Sequence, residues 1–263
     1  MSSNFECIGM PFQDDQEFAL TMDGILGASR RVRGLPARFD HRLWVDASGA
    51  AVAIHVEGNA VACLTPFFDP PDGLMRWRVS TSAPTLDECD HCGGADCNLL
   101  SPEGEMVTRA TLQWLFFAPY RDWLSQPRTF EIEVVAFAHR ARFFADEAAF
   151  DEAQGAELGQ NPLPSTGTPF RLAVESFIPI GMFEPPGNNA RRATATFAGS
   201  VVRVDRLRNS RTGGAFSRVR VRTLPGETDV VVGGSDTHGL KVGAIAWIDA
   251  WLVGRPVPVP FPV

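Results

Sequence analysis

With 263 residues and 44% apolar side chains, the chain can build one large domain or two ordinary ones around a sizeable core, which excludes a disordered polymer as its main state. The net charge is −7, no stretch approaches the roughly 18 apolar residues of a spanning helix, and the start, MSSNFECIGM, lacks the basic-then-apolar pattern of a signal peptide. The expectation is a soluble, cytoplasmic protein with no membrane partner, and the near-total use of Arg over Lys suggests a GC-rich bacterial source.

In chain order, FECIGM reads as a strand. Asp14 or Asp15 then caps a helix over QEFALTMDGIL, where Phe18, Met22, Ile25 and Leu26 recur at helical spacing, and Gly27 stops it. A meander follows: ARFDHRLWVD, the turn ASGA, AVAIHVE, the turn Gly58-Asn59, then AVACLTPFF. With the first turn centred on Ser48-Gly49, His41 and His55 face each other across two strands. MRWRVSTSA alternates as a further strand.

LDECDHCGGADCNL is then expected to be a loop. It carries Cys89, His91, Cys92 and Cys97. The Cys89-x2-Cys92 spacing suits thiolate zinc ligation, Cys97 supplies a third sulfur, and Cys63 on an earlier strand can complete one structural zinc site. Two other readings fit the same residues: a reduced loop with incidental cysteines, and redox use, although no helix N-terminus follows to lower a thiol pKa.

Ser101, Pro102, Glu103 and Glu105 resemble a helix start, so GEMVTRATLQWLFFA reads as a helix ending before Pro119. RTFEIEVVAFA reads as a strand, and DEAAFDEAQGAEL as an acidic helix. The uncharged, Pro- and Gly-containing stretch 159–169 reads as a domain boundary. Beyond it stand five strand candidates with no helix between them: FRLAVESF, ATATFAGSVVRVDRLR, AFSRVRVRTL, TDVVVGG and VGAIAWIDAWLVG. The tail RPVPVPFPV suggests polyproline II. No internal repeat is found. The expected fold is α+β: residues 1–160 as a mostly antiparallel sheet with helices, and 168–263 as a small all-β barrel-like domain of OB type.

Charge divides along the same line. Residues 1–170 sum to −12 and residues 171–263 to +5. Within 191–222 there are nine Arg against one acid, Asp205. Arg218, Arg220 and Arg222 alternate with Val on one strand, which aims them at one face. Arg203, Arg206 and Arg208 lie on the preceding strand and Arg211 in the turn. This ribbon suits an acidic protein surface, the chain's own N-terminal domain, or single-stranded nucleic acid tracked by a basic groove. Ser235, Asp236 and His238 sit together in GGSDTHG, but no Gly-x-Ser-x-Gly elbow or P-loop pattern accompanies them. The function expected is a non-catalytic binding or assembly module working through the arginine hairpin. The alternatives are a single-strand nucleic-acid binder and an enzyme with its site at the domain junction.

Overall fold

The computed structural model describes residues 4–36, 40–86, 93–121, 123–158, 171–183 and 193–257. The elements are α1 (Asp15–Ala28), β1 (Arg30–Arg31), β2 (Asp40–Val45), β3 (Ala50–Glu57), β4 (Ala60–Phe68), β5 (Arg76–Leu86), β6 (Gly93–Leu100), β7 (Met106–Trp114), α2 (Phe117–Tyr120), β8 (Thr129–Phe144), α3 (Glu147–Leu158), β9 (Phe177–Ile178), β10 (Thr194–Arg208), β11 (Ala215–Thr223), β12 (Gly226–Gly233) and β13 (Ile245–Val257). The chain is mostly strand with few helices, and the strands form two sheets. No helix among the described residues is long and apolar enough to cross a membrane.

α1 forms as its sequence dictates. The Asp14 carboxylate accepts from the Glu17 backbone N–H at 2.7 Å, and the Glu17 carboxylate accepts from the Gln13 N–H at 2.8 Å, so two orphan donors at the helix start are satisfied. Met22 and Ile25 are its buried residues. Three other expectations are corrected. FECIGM is a 3-10 turn over Glu6–Ile8, not a strand. The helix expected over 104–118 is strand β7: Ala110, Leu112 and Trp114 join the inner apolar core at every second position, and its β-branched Val and Thr residues suit a pleated surface better than a helix. Pro102 sits instead in the β6–β7 turn, which Gly104 closes at φ 91°. The part of the cysteine stretch from Gly93 onward is strand β6, not loop. Gly94 permits this, since a Cβ there would stand 2.1 Å from the Leu112 carbonyl oxygen. Residues 87–92, the linker 159–169 and the tail 258–263 lie outside the described residues.

β1–β4 form an antiparallel sheet in sequence order, the meander that the turns predict. The other nine strands form one sheet that twice closes on itself. β8 and β13 run antiparallel along a long central ladder, from Ile245 opposite Phe144 to Val257 opposite Glu131. The second edge of β8 is divided between β5 at 129–133 and β12 at 135–137. That of β13 is divided between β7 at 253–254 and β10 at 245–251. One ring of pairings therefore runs β8–β5–β6–β7–β13, and a second runs β8–β12–β11–β10–β13.

The two rings repeat one topology. In each, three strands form a meander and a long fourth strand follows after a helix or turn. The first strand pairs antiparallel with its own fourth, and the third pairs parallel with the other unit's fourth. Arg76 faces Glu133 where Thr194 faces Trp251, and both counterparts are displaced equally along the chain. This repeat was invisible in the sequence because side chains differ while pairing is retained. It also bears on the boundary expected near 160: strands from both sides of it build both rings.

Ile132, Val134, Ala136 and Ala138 of β8 join Val219, Val221, Val230 and Val232 in one inner core. The alternate residues Val135 and Phe137 pack against α1 and the four-stranded sheet. β8 is thus buried on both faces along much of its length.

Candidate functional site

A break in the central ladder positions the first site. Asp249 faces Arg140 and Ala250 faces Ala138, so His139 is the extra residue of a β-bulge. Bulges redirect side chains and locally release the ladder. His139 borders an open cleft of about 460 Å³ with Glu6, Arg140, Ala141, Arg142, Ser235 and Asp236. Its Nε2 lies 2.9 Å from Asn4 Oδ1. Desolvation lowers its pKa against the opposing influence of Asp249, so the ring is neutral at pH 7. Arg142 stacks with its guanidinium carbon 4.1 Å from the Trp247 ring centroid. This fixes the plane of the fork at little cost in mobility. The Ser235 hydroxyl donates to Asp236 Oδ1 at 3.2 Å, while His238 is exposed. The Ser-Asp-His trio of GGSDTHG is therefore not assembled as a relay; Ser235 and Asp236 meet His139 instead as cleft walls.

The arginine ribbon has the expected alternation and a largely internal destination. Arg218, Arg220 and Arg222 share one face of β11, opposite Val231, Asp229 and Glu227 on β12. Arg218 Nε and Nη2 donate to the two oxygens of Asp229 at 3.0 Å each. Arg220 forks onto the same carboxylate at 3.1 and 3.3 Å, and the Met75 N–H adds a donor at 2.9 Å. Arg218 also reaches Asp72 at 2.6 Å and the Gly73 carbonyl at 2.7 Å. Arg203 bridges Asp72 at 2.7 Å and Asp205 at 2.8 Å. Arg222 pairs more loosely with Glu227 at 3.7 Å. Asp229 is 0% and Arg218 2% exposed, so this is a desolvated network with its acceptors satisfied.

The hairpin turn is tied down as well. Asp46 accepts from the backbone and hydroxyl of both Ser48 and Ser210. Asn209 donates to the Ile8 carbonyl at 3.1 Å, and Thr212 donates to Gly9. Arg211 lies over Gly24 of α1, where any Cβ would collide with its guanidinium. Arg208 donates to Gly213, and Arg206 is exposed.

Asp72 makes the network pH-sensitive. Desolvation pushes its carboxyl up, but hydrogen bonds and charge from Arg203 and Arg218 overcome this and hold it at about 2. The ordinary unfolded value is about 3.9. Its stabilising contribution is therefore present above about pH 4 and lost as pH falls toward 2. D72N is expected to be less stable than the parent chain at pH 7, with the gap closing on acidification; a gap unchanged from pH 7 to pH 2 in urea unfolding would reject this role.

Of the cysteines expected to bind metal, Cys89 and Cys92 lie outside the described residues. Cys97 and Cys63 occupy different sheets. Cys97 faces the inner core at 1% exposure, and its thiol pKa is raised by desolvation and then by Asp96. The four-cysteine zinc site expected from the sequence stays a proposal, since two of its four sulfurs lie outside the described residues. Cys63 stands opposite His55, and His55 opposite His41, so the cross-strand histidine pair does form.

No known family model and no curated protein matches this chain. Sequence reasoning missed Asp72, Asp229 and His139. Asp72 sits in FFDPPDG, where two acids flank two prolines, a fixed turn suited to presenting carboxylates. Asp229 stands directly before the apolar run Val230–Val232 in its strand, a buried-charge signal. His139 carries no local mark, because a bulge depends on the partner strand.

Proposed function

We propose that the chain is a non-catalytic binding module that takes a small polar ligand bearing an anionic group in the cleft over the β8 bulge. The supporting observation is Arg142, braced on Trp247 and placed beside Arg140, the neutral His139 and the Ser235 hydroxyl. Glu6 and Asp236 on the same walls favour a ligand that also carries hydroxyl or ammonium donors. The arginine hairpin acts as an internal clasp on Asp72, which supports the chain's own N-terminal half as its partner and leaves less charge for an acidic protein or a nucleic-acid strand. The OB-type reading of the C-terminal half remains part of this proposal; what supports it is a ring of five strands, β10–β13 with β8.

Titrating the full chain calorimetrically with citrate and with phosphate tests the reading. Binding of either is expected, with R142A weakening it at least tenfold, the scale of one charge-assisted fork, and R222A leaving it unchanged. No heat from any anionic probe, or equal affinity in R142A, would remove the cleft from consideration.

A further inference from the structure

A second site lies between the four-stranded sheet and β7, independent of the cleft. We propose that His41, His55 and Cys63 are the protein ligands of a zinc ion. The three residues stand in direct register across β2, β3 and β4, so they share one face of the sheet. The two Nδ1 atoms are 3.0 Å apart. Two nitrogens each about 2.0–2.1 Å from a tetrahedral zinc stand roughly 3.3 Å apart, so a small opening of the pair admits the ion between them. Both rings are buried, and with Cys63, Thr65, Gln113, Trp114 and Phe116 they wall a cavity of about 20 Å³. That is room for about one water-sized occupant.

Local backbone irregularities converge on this point. The β3–β4 register shifts between His55 and Val56, leaving Ala62 as the extra residue beside Cys63. Phe116 adopts left-handed φ 58°, rare for a residue with a Cβ, and its ring centroid lies 5.0 Å from that of His41. Such departures persist where surrounding structure over-determines them, often at ligand sites.

Among the described residues no three His, Cys, Asp or Glu are already gathered as a metal shell. The missing step is short. Cys63 Sγ lies 3.7 Å from Thr65 Oγ1, a weak contact, and Cys63 is the cross-strand neighbour of His55, so the proposal requires its side chain to turn from Thr65 toward that ring. Cys63 is only half-buried on an edge strand, which gives the ion an entry path. Two imidazoles and one thiol form a soft set suited to zinc. Binding would release the thiol proton, leaving the fourth position to water or the Gln113 amide oxygen.

The test loads full-length protein with Zn²⁺, removes excess by dialysis, and measures metal per chain, with Co²⁺ as a spectroscopic substitute whose thiolate charge-transfer band reports sulfur ligation. C63S, at a half-buried position, keeps the fold testable. One equivalent of zinc is expected in the parent chain and in the C89S/C92S variant, with at least tenfold weaker binding and no charge-transfer band in C63S. Absence of retained zinc would mean that the histidines merely share a proton, and would overturn the proposal. So would zinc that survives C63S or is lost in C89S/C92S.

Discussion

D229A is expected to lower the folding free energy by about 3–5 kcal/mol, the usual cost of removing one partner from a buried ion pair. Asp229 is completely buried and receives forks from Arg218 and Arg220 plus the Met75 N–H. Arg220 is partly exposed and can turn toward water. Arg218 cannot, because Asp72, Gly73 and the Phe68 ring enclose it. Its charge would remain in the interior with Asp72 as the main counter-ion. A domain is commonly stable by only about 5–15 kcal/mol, so the variant should unfold at distinctly lower urea. R222A is the internal comparison. Arg222 and Glu227 form an exposed pair at 3.7 Å, and such pairs contribute about 0–1 kcal/mol. Urea unfolding of the two variants decides the matter: similar small losses would show that the Asp229 network is effectively solvated. A triple change, D229L with R218M and R220M, is expected to regain part of the loss, since the desolvation cost of the ions goes with their attraction.

Local pattern made β2–β4 legible, because Ser48-Gly49 and Gly58-Asn59 mark the turns and the alternation between them sets the faces. FSRVRVRT likewise announced its two faces, Val219 and Val221 toward the core and three arginines away from it. What the arginines touch was not legible. Asp72 and Asp229 are brought to Arg218 by pairings between distant segments, and no local spacing encodes them. β7 was misread because MVTRATLQW offers apolar positions compatible with both periods; its partners β6 and β13 decide, and β13 lies far along the chain. The cleft is still less visible, since His139 becomes distinctive only through the register of β13. The His41–His55 pair was legible as far as its turn was, since a hairpin centred on Ser48-Gly49 fixes the register that brings the rings together.

Residues 1–160 and 168–263, expressed separately, are each expected to lack a cooperative unfolding transition, and to recover one when mixed. The reason lies in the shared ladder. The C-terminal segment contains β10–β13 but not β8, which separates β12 from β13 and closes their ring. Without it, Val230, Val232, Ile248, Ala250 and Leu252 lose the facing side chains Ile132, Val134, Ala136 and Ala138. The N-terminal segment has the reciprocal defect: β7 loses its parallel partner β13, and Val135 and Phe137 lose contact with Phe216, Val231 and Val253 in the outer core. Each fragment would also carry half of the Arg218–Asp72 clasp, so their net charges of opposite sign favour encounter. Mixing should therefore restore sheet signal in circular dichroism and a single denaturant midpoint. A segment 168–263 that folds by itself with a sharp transition would mean that β10–β13 close without β8, and the shared ladder would then be a docking contact between two finished domains.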